Sequence, residues 1–489
     1  MQNRKDLLQA HRLMTQRAAL ALLGGDPDPA DQPLRRVNVG TLSGVLVAVM
    51  TAAIFGIWGL VSPGAAQGLT APGTLVIDKQ TGTSYIACMG GKLCPVVNYA
   101  SARLALGGNS LDQRLVSQAS LAHYQRGPLI GIPGLPQPLP DRSLLVGQPW
   151  SVCVQNTANS ATLQQQMLTT LVGGQSVGGT PLAGGSALLV QAQGQDWLLY
   201  RGQRLLIDGN MTQNLPNTPQ PVPVPAGWLD GVRRGPDFVA PTITGFGNLV
   251  QGPDGGGDTV GQVFQVKGVP GSPAQFFVLL NDGGLAPITQ TQADLLSFVP
   301  GQPALKTLLP SQVTGHLSHV TVPDGGLPAR MPTFVRYDPN TALCTTYSGP
   351  DPAGAAAAGP GQLDAAAGGP GQFNAVLTVG GSVPANGVPT GGAAGVDRLA
   401  LPPGAGALVG VVPGPGQGGS SVTSYFLVTE GHRYGLASQD VAAMLGYDLA
   451  RQRTLLPANI VDLVPAGPAL DPAAARQTVT TAFTGTAGQ

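Results

Sequence analysis

The residues best suited to catalysis or metal binding form no complete motif in this 489-residue chain. His316 and His319 have the H-x-x-H spacing of two zinc ligands, but no third ligand lies near them, so we expect them on a loop or surface. Gly91 and Lys92 lack the upstream glycine of a phosphate-binding P-loop, and no G-x-S-x-G nucleophile turn occurs. The sequence therefore predicts no catalytic, cofactor-binding or metal-binding residue; a site assembled from distant residues is the alternative.

Composition and charge favour a loop-rich protein that does not bind nucleic acid. The chain has 25 basic and 25 acidic residues and a formal net charge of zero, whereas a nucleic-acid partner requires a clustered basic face. Charged residues make up only 10% of the chain, and its 71 glycines and 45 prolines predict many turns and linkers. The remaining apolar residues predict several small cores.

An apolar segment near the N-terminus predicts one membrane-spanning helix. Residues 37–77 contain no charged side chain, and residues 42–61 are their most apolar part. A helix of about 20 residues spans about 30 Å, the thickness of the hydrocarbon core of a bilayer. Trp58 lies near one end, where interfacial aromatic residues are common. We therefore predict a transmembrane helix within residues 37–64.

Flanking basic residues predict the orientation of this helix. Arg35 and Arg36 directly precede it, and no basic residue follows it until Lys79. The positive-inside rule then places the N-terminus in the cytoplasm and the long C-terminal part outside. A cleaved secretory signal is the alternative, but the basic region and the apolar core both exceed the usual length for one.

The residues before the membrane helix predict a short amphipathic helix over residues 3–24. It is too small to be a domain, and it could dock on a partner protein or lie on the lipid surface. We favour a partner-docking helix. Its apolar stripe consists of residues three and four positions apart, namely Leu7, Ala10, Met14, Ala18 and Leu22.

All four cysteines, Cys88, Cys94, Cys153 and Cys344, follow the membrane segment and none precede it. An even number confined to one side of a membrane predicts disulfides in an oxidising compartment, and four buried free thiols are the alternative. Cys88 and Cys94 lie in the stretch CMGGKLC, where a tight turn could bring their Cα atoms within disulfide range. A bond between Cys153 and Cys344 would close a loop of about 190 residues.

Four segments after the membrane helix share a strand–turn–strand–turn–helix pattern, which predicts small β-β-α repeats that pack on their neighbours. The segments are residues 73–106, 187–207, 263–296 and 422–447. Each has an aromatic residue in its second strand: Tyr85, Trp197, Phe277 and Tyr425. Each has a glycine in the turn that follows: Gly91, Gly202, Gly283 and Gly431.

The predicted fold class is α+β, with a single transmembrane helix and an elongated extracytoplasmic domain of β-β-α repeats around a central, mainly-β domain. The predicted boundaries are 1–36 for the cytoplasmic helix and exit segment, 37–64 for the membrane helix, 65–110 for repeat 1, 111–185 for the first part of the central domain, 186–250 for repeat 2, 251–305 for repeat 3, 306–350 for the second part of the central domain, 351–419 for a Gly/Ala/Pro-rich segment of linker and extended loops, 420–470 for repeat 4 and 471–489 for a C-terminal tail.

Several stretches resemble the EccB family, a membrane component of type VII (ESX) secretion systems. The similar stretches are the N-terminal QNRKDLLQAHRLMTQRAALALLGGDPDPADQPLRR, LCPVVNYASARLALG at 93–107, DRSLLVGQPWSVC at 141–153, LCTTYSG around Cys344 and LVPAGPALDPAAAR at 463–476. They cover both ends and the middle of the chain. Two departures concern local repeat geometry: no obvious helix follows Leu206, and residues 350–420 are longer and richer in Gly, Ala and Pro than the family pattern.

The resemblance implies a bacterial inner-membrane protein that joins EccC-, EccD- and EccE-type subunits and other EccB copies, with a mycosin protease as a further partner. It implies that Cys153–Cys344 is the central-domain disulfide and Cys88–Cys94 an additional bond. The function it implies is structural: scaffolding of a secretion complex through the cytoplasmic helix, the membrane helix and the repeats. The alternatives are an extracytoplasmic nucleotide or cell-wall hydrolase and a cell-wall-binding anchor; an ATPase activity attributed to the family has no P-loop here to support it.

Overall fold

The computed structural model describes residues 4–24, 33–61, 68–108, 111–158, 165–208, 211–212, 218–267, 273–350, 373–391, 395–413 and 421–479. Two helices come first, Arg4–Gly24 and Pro33–Val61. Everything described after residue 68 is a β-rich domain with short helices. The predicted mixture of one membrane-length helix and an α+β domain is confirmed.

Repeat 1 shows the architecture of the repeating unit. Its strands and helices are Thr74–Asp78, Ser84–Cys88, Lys92–Pro95, helix Tyr99–Leu106, Asp112–Val116 and helix Gln118–Leu121. Three strands form an antiparallel meander, and the helix then crosses over so that the fourth strand pairs parallel with the first. Asn98 caps the helix by accepting a hydrogen bond from the Ser101 backbone N–H at 2.7 Å, and Gly107, with φ +66°, ends it.

The same strand order, third–second–first–fourth, recurs in the other three repeats. Repeat 2 comprises Ser186–Ala192, Gln195–Tyr200, Gln203–Ile207, Val222–Pro223, helix Ala226–Asp230 and Arg233–Arg234. Repeat 3 comprises Val263–Val266, Gln275–Leu279, Leu285–Ile288, helix Gln290–Ser297, Lys306–Leu308 and helix Pro310–Thr314. Repeat 4 comprises Ala407–Val412, Ser424–Thr429, His432–Gly435, helices Asp440–Leu445 and Leu449–Gln452, Arg453–Pro457 and helix Ala458–Val461.

The central domain is a seven-stranded sheet. Its strands in spatial order are Val388–Pro389, Arg398–Ala400, Gln165–Gly173, Trp150–Ala158, Ala342–Pro350, Phe373–Gly381 and Thr180–Pro181. Smaller elements complete the fold: the hairpin Leu249–Gln251 with Gly257–Thr259, the strand Thr333–Val335 beside repeat 2, the 3-10 turn Arg142–Leu144 and the helix Pro472–Ala475.

Repeats 2 and 4 pack on the central sheet, and repeats 3 and 1 pack on them in turn. In the first strand of repeat 2, Leu188 and Val190 belong to the central core, whereas Ala187 and Leu189 share a core with Leu295 of repeat 3. The reason is that side chains alternate between the two faces of a strand, so a strand that is apolar throughout has both faces buried.

Repeat 4 follows the same arrangement. Ala407 and Val409 of its first strand pack in the central core, and Leu408 between them packs with repeat 1. The units therefore follow the order 1–4–central–2–3, which is not their order along the chain.

The structure differs from the sequence-based boundaries wherever a sheet is closed by a distant strand. The fourth strands Asp112–Val116 and Lys306–Leu308 lie in segments assigned to the central domain, but they pair parallel with the first strands of repeats 1 and 3. The Gly/Ala/Pro-rich segment contributes Phe373–Gly381 and Arg398–Ala400 to the central sheet and Ala407–Val412 to repeat 4. Most of these strands pair with residues far away in sequence, several of them in parallel across a crossover, and such pairings leave no local sequence signal.

Candidate assembly surfaces

The predicted docking helix presents its apolar residues uncovered. Leu7, Met14 and Leu22 are 63%, 74% and 88% exposed, and Ala10 and Ala18 are exposed as well. No other segment of the described part of the chain therefore packs against this stripe. A helix with an apolar side that packs on nothing in its own chain is suited to bind a partner or a lipid surface.

The second helix has the length and the polar-group satisfaction that a bilayer requires. Its stretch Val37–Ile57 is 21 residues long and, by length and composition, could cross a membrane. The hydroxyls of Thr41, Ser43 and Thr51 donate to carbonyl oxygens four residues earlier at 2.9, 2.7 and 2.6 Å, so these polar groups need no water.

The three residues predicted to mark the membrane boundaries lie within this helix. Arg35 and Arg36 fall in its first turn and Trp58 in its last. Their side chains lie outside the described part of the structure, so the predicted interfacial roles stay predictions.

The four predicted turn glycines occupy one structural position, between the second and third strands of each repeat. Gly91, Gly202, Gly283 and Gly431 have φ values of +71°, +70°, +77° and +79°, a region that favours glycine. In repeats 2 and 4 the turn also touches the central sheet: a Cβ added at Gly202 would lie 2.4 Å from the carbonyl oxygen of Ala375. One added at Gly431 would lie 2.9 Å from that of Pro389.

Both predicted cysteine pairs are bonded in the structure. Cys153 and Cys344 sit directly opposite each other on adjacent central strands, with Cα atoms 4.0 Å apart and no exposed surface. Cys88 and Cys94 join the second and third strands of repeat 1 across the turn, with Cα atoms 5.8 Å apart. The first bond fixes two segments 191 positions apart, and the second staples one hairpin.

A buried hydrogen-bonding group links repeats 2 and 4 to the central sheet. Tyr347, on a central strand, is 1% exposed, and its hydroxyl donates to the carbonyl oxygen of Gly231, which follows the short helix of repeat 2. Burial raises the pKa of Tyr347 far above its usual value. From the short helix of repeat 4, the Asn459 amide donates to the same carbonyl and to that of Asp230, each at 3.4 Å.

Repeats 2 and 4 also share an arginine that sequence analysis did not single out. Arg204 pairs with Asp230 at 2.8 Å and lies 5.2 Å from the Trp197 ring centroid. Its counterpart in repeat 4 is Arg433, which pairs with Asp462 at 2.5 Å and lies 5.3 Å from the Phe426 ring centroid.

The signal for these arginines was present in the sequence, because each lies two positions after its turn glycine. The same position holds Leu93 in repeat 1 and Leu285 in repeat 3. Phe426, and not the predicted Tyr425, is the counterpart of Trp197, since a shift of one residue moves a side chain to the other face of the sheet.

The C-terminal segment binds back across repeat 1. Gly131 donates its backbone N–H to Gln477 at 3.2 Å, Val479 donates to Leu129 at 2.9 Å, and the Arg476 guanidinium donates to the carbonyl of Ala105 at 2.9 Å. The part of the predicted tail that the structure describes is therefore a strap that joins repeat 4 to repeat 1.

The described residues contain no group of three or more His, Cys, Asp or Glu side chains placed to hold a metal ion. His316 contacts the carbonyl oxygen of Gln312 through Nδ1 at 2.9 Å and is exposed, which agrees with the surface position expected for it.

A helix long enough to cross a membrane, followed by four like repeats arranged on either side of a central sheet, defines a membrane-anchored repeat protein. The family model described as "Type VII secretion system ESX-1, transport TM domain B" matches residues 2–482. The chain belongs to this family, the EccB family of type VII secretion proteins.

Curated relatives carry EccB names. The chain is 27% identical over 475 residues to the "ESX-3 secretion system ATPase EccB3" of Mycolicibacterium smegmatis, covering 94% of this chain and 87% of that one. It is 28% identical over 284 residues to the "ESX-5 secretion system ATPase EccB5" of Mycobacterium tuberculosis, covering 56% and 54%. In that second comparison the chain spans about half the length of the relative it matches.

Solved structures share the fold. A chain of the intact ESX-5 inner membrane complex matches with a TM-score of 0.60 and 23% identity, covering 98% of this chain and 96% of that chain. A chain of the EccB3 dimer from the ESX-3 core complex matches with a TM-score of 0.62 and 24% identity, covering 83% and 100%. The first of these chains belongs to an inner membrane complex and the second to a dimer from a core complex.

Proposed function

We propose that this chain is a structural subunit of the inner-membrane complex of a type VII secretion system, and that it scaffolds assembly without catalysing a reaction. The observation that carries the proposal is the contrast between its two parts. The repeats bury their sheets against one another, whereas the apolar stripe of Arg4–Gly24 and the residues of Val37–Ile57 are exposed. Exposed apolar surface of this extent marks a site for protein or lipid.

The proposed topology follows from the charges that flank the membrane helix. By the positive-inside rule, Arg35 and Arg36 support a cytoplasmic N-terminal helix and repeats on the outside. The N-terminal helix would then contact a cytoplasmic face of the complex, and the repeats would contact other copies of this chain. The proposed partners are EccC-, EccD- and EccE-type subunits, with a mycosin protease outside.

Assembly is tested by purifying the complex from native membranes in mild detergent and measuring its mass and composition. The wild-type chain should elute in a large complex with other membrane subunits. Met14→Asp, which places a charge in the apolar stripe, should reduce that association. Thr15→Asp is a matched control because Thr15 neighbours Met14 but lies outside the stripe. Elution of the wild-type chain as an isolated monomer would remove the support for a scaffold.

The word ATPase in the names of the relatives makes nucleotide hydrolysis the second candidate function. It is tested by incubating the purified full-length chain with ATP and magnesium and measuring released phosphate. The scaffold proposal expects no release above a preparation made in parallel from cells lacking the chain. Hydrolysis that stays with the chain through successive purification steps would favour the enzyme.

A further inference from the structure

The hairpin turns of the four repeats have equivalent positions but unequal surroundings. The turn glycines of repeats 2, 3 and 4 each face a backbone carbonyl from outside their own repeat. A Cβ added there would meet Ala375 at 2.4 Å, Gln251 at 3.5 Å and Pro389 at 2.9 Å, respectively. All three carbonyls belong to β-strands, namely Phe373–Gly381, Leu249–Gln251 and Val388–Pro389.

The turn of repeat 1 is the exception. In the described part of the chain, no heavy atom lies within 4 Å of a Cβ built on Gly90 or Gly91. Beside them, the Met89 side chain is 96% exposed at the tip of the turn, and Lys92 is exposed too. The repeat 1 turn therefore has the same backbone conformation as its three counterparts, each of which packs on a β-strand. In the described part of the chain no strand packs on it, and the apolar Met89 side chain is exposed there instead.

This same hairpin is held rigid by a bond that its counterparts lack. Cys88 and Cys94 cross-link its two strands, and the described residues contain no disulfide in the other three repeats. A Cβ on Gly127 would lie 2.3 Å from the Cys94 sulfur, so the returning chain closes tightly over the bond. A rigid, exposed hairpin loses little conformational entropy when it binds, which is the property of a preorganised contact.

We infer that the Met89–Lys92 turn of repeat 1 is a docking site for a β-strand of a second copy of this chain. The occupant follows from internal equivalence: all three filled turns pack against strands of this same polypeptide. Met89 would be the apolar anchor of the contact, and the small Gly90 and Gly91 would let the partner backbone approach closely. The inference rests on the proposed assembly function and names the surface that a copy-to-copy contact would use.

The test places a photo-crosslinking amino acid at Met89 of the full chain, in cells that carry two differently tagged copies. The control places it at Glu430, the equivalent turn of repeat 4, which packs on its own central sheet. Illumination of intact membranes should give a product that contains both tags from Met89 and an intramolecular product from Glu430. Mass spectrometry should place the Met89 crosslink in a β-strand of the second copy.

A substitution at Met89 tests the same contact independently of crosslinking. Met89→Asp should weaken copy-to-copy association in detergent at least about tenfold, since it removes a large apolar side chain from the contact. Leu249→Asp is the matched control because Leu249 is 81% exposed on another unit. Both are surface changes that leave the fold intact.

Each outcome decides the question. Crosslinking to the second copy with loss of association in Met89→Asp alone supports the inference. Crosslinks only to lipid, only to a different protein or to nothing, in complexes that still assemble, overturn the inference and leave the proposed function standing. Failure of the wild-type chain to assemble at all overturns both.

Discussion

Replacing single turn glycines by alanine should separate the backbone role of each turn from its docking role. Gly91→Ala places a side chain at φ +71° where its own chain leaves open space, so within one copy it should cost only the left-handed backbone conformation, roughly 1 kcal/mol. Gly202→Ala has nearly the same φ, +70°, but its Cβ would lie 2.4 Å from the Ala375 carbonyl oxygen. Overpacking of that kind adds roughly 1–3 kcal/mol.

The difference between the two variants should therefore be about 2 kcal/mol, a factor of roughly 30 in a local opening equilibrium. Gly431→Ala, with its nearest contact at 2.9 Å, should fall between them. Hydrogen exchange of the full chain in detergent measures this directly on the strands Gln195–Tyr200 and Phe373–Gly381, which meet at the Gly202 turn. Equal exchange in the Gly202→Ala and Gly91→Ala proteins would refute docking of repeat 2 through this turn.

Three further changes probe the links between units. Tyr347→Phe removes the hydroxyl that donates to Gly231 and should lower the free energy of unfolding by roughly 1–2 kcal/mol, read as a lower thermal midpoint. Cys344→Ala removes a cross-link across 191 positions; by the chain-entropy model this costs up to roughly 5 kcal/mol, and reductant should then have a smaller effect than on wild type. The Ser318 hydroxyl, which donates to Asp282, holds the pKa of that carboxyl below its ordinary 3.8. The contact therefore stabilises the repeat 3 turn above pH 3.8, and this stabilisation is lost as the pH falls through the lowered pKa. Hydrogen exchange of the turn should speed up over that acidic range in the wild type, and Asp282→Asn should abolish this pH dependence.

Two of the four repeats have a partly buried arginine beside the turn, and these are the two repeats that contact the central sheet. The short helix of repeat 2 ends at Asp230, and Asp462 directly follows the short helix of repeat 4. Each aspartate pairs with the arginine that lies beside an aromatic ring of its repeat. Repeats 1 and 3 have a leucine at that position. The residue at this position thus depends on what the repeat packs against. It is arginine in the two repeats that contact the central sheet and leucine in the two outer repeats.

Local pattern in the sequence was enough for the features that arise from neighbouring residues. The helix over residues 3–24 agrees with the observed Arg4–Gly24 because its apolar spacing is local. The membrane-length helix ends at Val61, within the predicted 37–64, although it starts earlier, at Pro33. The turn glycines were identified correctly because positive φ leaves a direct mark on residue type.

Only the tertiary structure decided which strands close each sheet and which units touch. The fourth strand of repeat 1 pairs parallel with the first strand across a crossover. The strand Phe373–Gly381 pairs antiparallel with Ala342–Pro350, which is distant in sequence. Neither pairing leaves a local mark, because the partner residues are not neighbours along the chain. The strap around Gln477 likewise contacts residues of repeat 1 that are far away in sequence, so its spacing predicts only a tail. The amino-acid sequence by itself determined the membrane helix, the repeats and their turns, because those follow from periodicity; the order 1–4–central–2–3 came from burial, which depends on surfaces that meet only after folding.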